Sequence, residues 1–153
     1  MRMKGYKSLV ISHLIFLFFI SLAFLGCEKK DYTKEPATMH WDRDMCERCK
    51  MAISERKFAV QAIDENGKVY KFDDIGCLIL WQKKEHPEIH FKKIWITDAK
   101  SGEWIDAKEA EYTRDYITPM GYGFGAHKKG TAPKNKKIYS FDDVKKIIEK
   151  IGR

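Results

Sequence analysis

Seven residues, Met45-Cys46-Glu47-Arg48-Cys49-Lys50-Met51, carry two thiols and two thioethers. Thiolate and thioether sulfurs are soft donors. Together they favour Cu(I), whereas thiolates alone suit zinc or an iron–sulfur cluster equally well. A loop this short can turn Cys46, Cys49 and Met51 toward one ion, so these three are the first candidate metal ligands, with Met45 as a spacer. Two other chemistries use the same thiols: a structural Cys46–Cys49 disulfide, and a redox pair that exchanges disulfides. A catalytic redox Cys-x-x-Cys is expected at a helix N-terminus, after a strand of a βαβ pattern. Here the motif precedes the first recognisable strand. A four-cysteine zinc site would need a second Cys-x-x-Cys, which the chain lacks.

The N-terminus indicates where this chemistry takes place. Arg2, Lys4 and Lys7 precede an almost wholly apolar run over residues 9–25, which closes at Gly26-Cys27 before the charged Glu28-Lys29-Lys30-Asp31. That is the layout of a secretory signal with a small residue at the cleavage position. A cysteine directly after it resembles the lipobox of bacterial lipoproteins, in which the cysteine is acylated and becomes the new N-terminus. We therefore expect a lipoprotein signal peptide over residues 1–26, lipidation at Cys27 and a lipid-anchored tether over 27–44. The alternative is an uncleaved transmembrane helix, for which about 20 apolar residues are needed. Either arrangement places the remainder in the cell envelope, attached to a membrane and facing the periplasm or exterior. Two or more acyl chains on Cys27 would make that attachment stable.

Without the signal, Cys46, Cys49 and Cys77 remain, and an odd number of thiols cannot all pair within one molecule. Loss of Arg2, Lys4 and Lys7 lowers the net charge from +7 to +4. The remaining cations are scattered among acids, with no basic patch interleaved with stacking aromatics, which argues against a nucleic-acid partner. Residues 28–44 lack apolar periodicity and contain Pro36, as a tether would.

The elements that must position the thiols follow from Phe58 onward. Phe58–Ile63 reads as a strand, Asp64-Glu65-Asn66-Gly67 as a hairpin turn and Lys68–Phe72 as the returning strand. Asp73 or Asp74 then caps a helix from about Ile75 to Lys84 that ends before Pro87. A third strand, Lys92–Thr97, turns at Lys100-Ser101-Gly102 into Glu103–Asp106. Cys77, in the first turn of an apolar helix, reads as a small buried core residue. The segment Lys68-Val69-Tyr70-Lys71-Phe72-Asp73-Asp74-Ile75 recurs as Lys137-Ile138-Tyr139-Ser140-Phe141-Asp142-Asp143-Val144, five identities in eight at an offset of 69. The same offset carries Met51 onto Met120. The expected fold is therefore α+β: a domain over 45–153 made of two pseudo-repeated ββαβ-type halves, about 45–88 and 89–153. Their equivalent methionines would approach across the junction.

The order Cys-x-x-Cys-x-Met, then Phe72-Asp73-Asp74-Ile75-Gly76-Cys77, then the segment from Thr97-Asp98 to Gly102-Glu103-Trp104-Ile105-Asp106-Ala107, then Pro119-Met120-Gly121, resembles the NosL family over about residues 42–150. The resemblance implies a periplasm-facing lipoprotein, built from two ββαβ units, that binds Cu(I). It implies a metallochaperone supplying copper to nitrous-oxide reductase during assembly of its copper centres. This chain departs from the family pattern at Lys50, where glycine is usual. Met120, in a turn with Gly121 and Gly123, and His127, six residues further on, complete the candidate ligand set. His40 is an outsider on the N-terminal side.

No nucleophile–base pair, phosphate loop or cofactor fingerprint is present, so the expected role is not enzymatic. The implied partners are a copper-requiring reductase and an upstream copper donor, with the membrane held through the lipid anchor. The rival classes are a thiol–disulfide redox lipoprotein and a metal-independent structural lipoprotein of the envelope.

Overall fold

The computed structural model describes residues 30–152, so the expected signal peptide and Cys27 lie outside the described residues. The first hairpin forms where the alternation and its turn residues require it. Strand β1 (Val60–Asp64) and strand β2 (Val69–Phe72) pair antiparallel, with Ala62 opposite Tyr70. Between them Asp64 Oδ1 accepts from the Asn66 and Lys68 amides at 2.8 and 2.9 Å, and Gly67 takes a positive φ of 80° that glycine tolerates without strain. Helix α1 (Ile75–Leu80) follows at once. Asp74 caps it, its Oδ1 accepting from Gly76 N at 2.8 Å. All six residues of α1 are buried, so the helix lies on the sheet rather than beside it.

Helix α1 widens into a π-helical segment, Trp81–Glu85, and stops at His86 because Pro87 cannot continue it. The Trp81 ring stands 4.2 Å from the His86 ring and 5.1 Å from that of Tyr70, closing one end of the core. Strand β3 (Phe91–Thr97) returns beside β1, and β4 (Trp104–Asp106) pairs with β3. The four-stranded antiparallel sheet has the order β2-β1-β3-β4, with the fully buried β1 inside it.

A second, smaller sheet joins β5 (Glu111–Thr113) to β6 (Gly125–His127). Tyr139 bridges to Tyr112 on β5 through reciprocal amide–carbonyl bonds of 2.8 and 2.9 Å, and helix α2 (Phe141–Ile151) follows. Ser140 and Asp143 form a capping box at its start, and Gly152 ends it in the left-handed conformation. Val144 and Ile148 turn inward to join α1 in one core.

The fold is α+β, as expected, and the strand-to-capped-helix unit recurs. The two halves are nevertheless unequal. The first completes its ββαβ order, whereas in the second the anticipated strand over Lys137–Ser140 contributes only the Tyr139 bridge. Ile138 is exposed, and the polar Lys128–Lys137 approach offers little apolar surface to hold a longer strand. Strands β3 and β4 belong to the first sheet, which places the division between sheets after Asp106 rather than near residue 88.

The tether reading of 27–44 also needs correction, because the compact unit begins at Asp31. The fully buried Gln61 requires partners for its amide. It finds them at Ala37, accepting from the backbone N–H at 2.8 Å and donating to the carbonyl at 2.9 Å. Trp95 Nε1 donates to the Tyr32 carbonyl and Lys71 Nζ to that of Thr38, both at 2.9 Å. Among the described residues no helix is long and apolar enough to cross a membrane.

Gly76 is required by packing. A Cβ there would fall 2.2 Å from the Tyr122 ring, which lies flat on the start of α1. Gly76→Ala must displace that ring, so it is expected to destabilise the fold by about 1–3 kcal/mol, read as a lower urea midpoint with an unchanged m-value.

Candidate metal centre

The site begins with the backbone of the thiol loop. Met45 and Ala52 form an isolated antiparallel bridge, Cys46 N donates to the Met51 carbonyl at 2.9 Å, and Lys50 N donates to the Cys46 carbonyl at 3.1 Å. Closing so short a loop forces one residue into the left-handed region. That residue is Lys50, with φ of 60°. The place where the chain departs from the glycine of the NosL pattern is thus the place where glycine would be free of strain.

Two contacts lay this loop on the turn between β2 and α1. Glu47 N donates to the Lys71 carbonyl at 2.9 Å. Arg48 reaches across with Nε to Glu85 at 3.1 Å and Nη1 to the Tyr122 hydroxyl at 3.3 Å. The result brings the thiols of Cys46, Cys49 and Cys77 together with the carboxylate of Asp73, one donor atom from each lying within 4.8 Å of every other. Cys46 and Cys77 are fully buried, Asp73 is nearly so, and Cys49 is partly open to solvent. All three cysteines are free thiols, and no disulfide joins Cys46 to Cys49.

The electrostatics divide the thiols. The Cys77 thiol, hydrogen-bonded to the Cys46 sulfur, holds Cys46 down at about 7 against the opposing effect of burial. The backbone N–H groups of Asp73 and Cys49 act in the same direction. Burial pushes Cys49 up to about 12, assisted by its bond to Asp73, whose Oδ2 accepts from the thiol at 3.2 Å. Cys77 is raised by the proton it shares with Cys46 and by burial. The cluster therefore favours its first thiolate at Cys46, and the protons left on Cys49 and Cys77 must be expelled by an incoming metal.

The residues singled out in the sequence fall into three places. Cys46 and Cys49 lie in the cluster. Met51, 46% exposed, sits on the same loop, and Met120 is half-buried on a loop that also reaches the β2–α1 turn. Burial raises the pKa of the Asp74 carboxylate, opposed by the Thr118 hydroxyl and by the Gly76 and Met120 amides, which face it. Both methionines thus occupy loops against the Asp73–Cys77 turn. His127 lies apart on β6, buried, with Nε2 at 3.0 Å from the Thr113 hydroxyl and 3.2 Å from that of Tyr116. His40 is exposed.

Sequence reasoning missed Cys77 and Asp73 as members of the cluster. Cys77 is buried, as expected, but among sulfurs. Of the two aspartates read as caps, only Asp74 caps α1. The motif Phe72-Asp73-Asp74-Ile75-Gly76-Cys77 held the signal, because a strand-to-helix turn sets its first aspartate and its cysteine on one side.

No protein-family model matches the chain, and no curated protein matches it in sequence. Among solved structures it is similar to the copper chaperone NosL from Shewanella denitrificans. The likeness covers 71% of this chain and 95% of that one, with a TM-score of 0.60 and 19% sequence identity. The chain has the NosL fold.

Two outcomes follow from this geometry. Lys50→Gly relieves the left-handed strain and is expected to stabilise the apo protein by up to about 1 kcal/mol, read in urea denaturation. The lowered pKa of Cys46 gives the reduced, metal-free protein stability that is present above the unfolded thiol value of 9.0 and is lost as pH falls through about 7. Denaturation midpoints should therefore rise from pH 7 to pH 9 in the wild type, and this rise should shrink in Cys46→Ser.

Proposed function

We propose that this protein is a Cu(I)-binding metallochaperone of the cell envelope, lipid-anchored through Cys27, that passes copper to a copper-requiring reductase. The observation that carries the reading is the convergence of three free thiols, one of them partly open, at a single loop–helix junction. Three thiols accept Cu(I), and the thioethers of Met51 and Met120 on the adjoining loops weight the soft-donor set toward it. The fold shared with a copper chaperone supports the same reading. Nitrous-oxide reductase is the recipient that the resemblance to NosL implies.

A carrier must hold Cu(I) away from oxidants and stray thiols, and yet release it. Cys46 and Cys77 form the floor of the site and Cys49 its rim. The exposed thioether of Met51 stands where a donor or recipient would dock, and Met120 borders the opposite loop. Exchange then proceeds by entry of a partner sulfur before the last chain sulfur departs, so the ion is never free. Partner docking uses this face and needs no chemistry beyond ligand substitution, which agrees with a non-enzymatic role.

The test is a Cu(I) titration of the full-length, reduced protein in detergent against a chromophoric chelator. One ion per chain is expected, with affinity lowered at least about tenfold in Cys49→Ser and in Cys77→Ser, and lowered less in Met51→Leu. Binding no tighter than that of the triple variant lacking Cys46, Cys49 and Cys77 would reject the copper reading and bring forward a redox or structural role for the thiols.

A further inference from the structure

We propose that Cys46, Cys49, Cys77 and Asp73 also form a four-coordinate site for a divalent, zinc-like ion, with Asp73 as the ligand that separates divalent from cuprous occupancy. The inference shares its sulfurs with the copper reading and rests on it for that comparison alone.

The first argument is donor type and number. Cu(I) is satisfied by two or three soft sulfurs and gains little from a carboxylate. Zinc takes four ligands at the corners of a tetrahedron and accepts thiolate and carboxylate together. Metal–sulfur bonds of about 2.3 Å set tetrahedral sulfurs about 3.8 Å apart. Four donors already within 4.8 Å of one another need only a small contraction to reach that spacing. The second Cys-x-x-Cys that a zinc site ordinarily draws on is absent, and the β2–α1 turn supplies its two ligands instead.

The second argument is the state of Asp73. Its side chain is 2% exposed, and Oδ1 has no hydrogen-bond partner. Oδ2 accepts from the Cys49 thiol, and the Cys77 thiol also faces the carboxylate; both protons leave for solvent when the sulfurs bind metal. A metal held by the three sulfurs alone would then strand a buried, uncompensated carboxylate, which is strongly unfavourable. Capping does not account for Asp73, since Asp74 fills that role. Coordination gives the carboxylate its missing partner.

The third argument is charge. Three thiolates and a carboxylate total −4. A divalent ion leaves −2 and a monovalent ion −3, within a site where three of the four ligands are buried. Fixed donors already face the sulfurs. The amides of Asp73 and Cys49 point to the Cys46 sulfur, that of Met51 to the Cys49 sulfur, and the Arg48 guanidinium to Cys77. They stabilise thiolates before any ion arrives.

The experiment uses the full-length, reduced protein in detergent and Co(II) as an optical probe for the divalent site. The expected result is an intense tetrahedral d–d spectrum with sulfur-to-metal charge transfer, bleached by one equivalent of Zn(II). Asp73→Asn keeps the shape and removes the charge. It should weaken Zn(II) at least about tenfold, while Cu(I) affinity in chelator competition changes by less than about threefold. Absence of the tetrahedral spectrum, or equal weakening of both metals, overturns the proposal. Zn(II) binding without Cu(I) binding would instead reject the copper reading and leave this one standing. If Asp73→Asn fails to fold by circular dichroism, zinc-edge X-ray absorption of the wild type decides. Three sulfurs and one oxygen are expected, and a shell without a light-atom ligand overturns the assignment.

Discussion

The structure depends on one contact: the thiol loop of residues 45–52 laid against the turn from β2 into α1. Each piece carries a cost in this form. The loop holds Lys50 in a left-handed conformation, and the turn buries a carboxylate and a thiol. They are joined by the Glu47–Lys71 backbone bond and by Arg48, which spans from the loop to Glu85 and Tyr122. Tyr122 in turn requires the bare backbone of Gly76 beneath its ring. The cysteines are therefore placed by a chain of contacts running through both sheets' connecting loops, and most of its members bear no metal-binding atom.

Asp73 and Asp74 show how that junction differentiates adjacent residues of one type. Asp74 turns back onto α1 and caps it through Oδ1, while its buried Oδ2 has no hydrogen-bond partner. Asp73, one step earlier, faces the sulfurs, its Oδ2 accepting from the Cys49 thiol. The carboxylates are equally buried, and their neighbours alone distinguish them. The first meets a cluster whose protons are exchangeable, and the second meets backbone amides whose protons are not.

Much of the fold was legible because its signals are local. The Asn66-Gly67 turn, the capped apolar helix, the apolar run of β1 and the patterns of β2 and β3 each follow from a few adjacent residues, and the structure shows them within four residues of their expected bounds. Strands β5 and β6 were not legible. Three residues are too few for alternation to register, and β6 reads Gly-Ala-His, without the β-branched residues that mark a strand. Half of the site was legible for the same reason: Cys46 and Cys49 share a short motif. Cys77 and Asp73 meet them through tertiary packing, and an apolar run around Cys77 gives the same local signal whether its thiol faces leucines or other sulfurs. The segment over 31–44 was misread because its attachments run through backbone carbonyls and amides, which leave no mark in side-chain periodicity.

On the proposed reading, the same geometry sets the order in which an ion would leave. Cys46 and Cys77 are closed to solvent, so an incoming ligand meets Cys49 first. Cys49, like the enclosed Cys77, has surroundings that favour its protonated form, through burial and through the Asp73 carboxylate that accepts its proton. The rim ligand is thus the most accessible of the three, and its surroundings let it recover a proton as its metal bond lengthens. Cys46, held toward the thiolate by the Cys77 thiol and two backbone amides, is the last to be given up. Release from rim to floor then needs no conformational change in the sheet. It needs a partner that presents a softer or more acidic sulfur at the face marked by Met51, and that requirement on the partner, more than the strength of binding, would give delivery its direction.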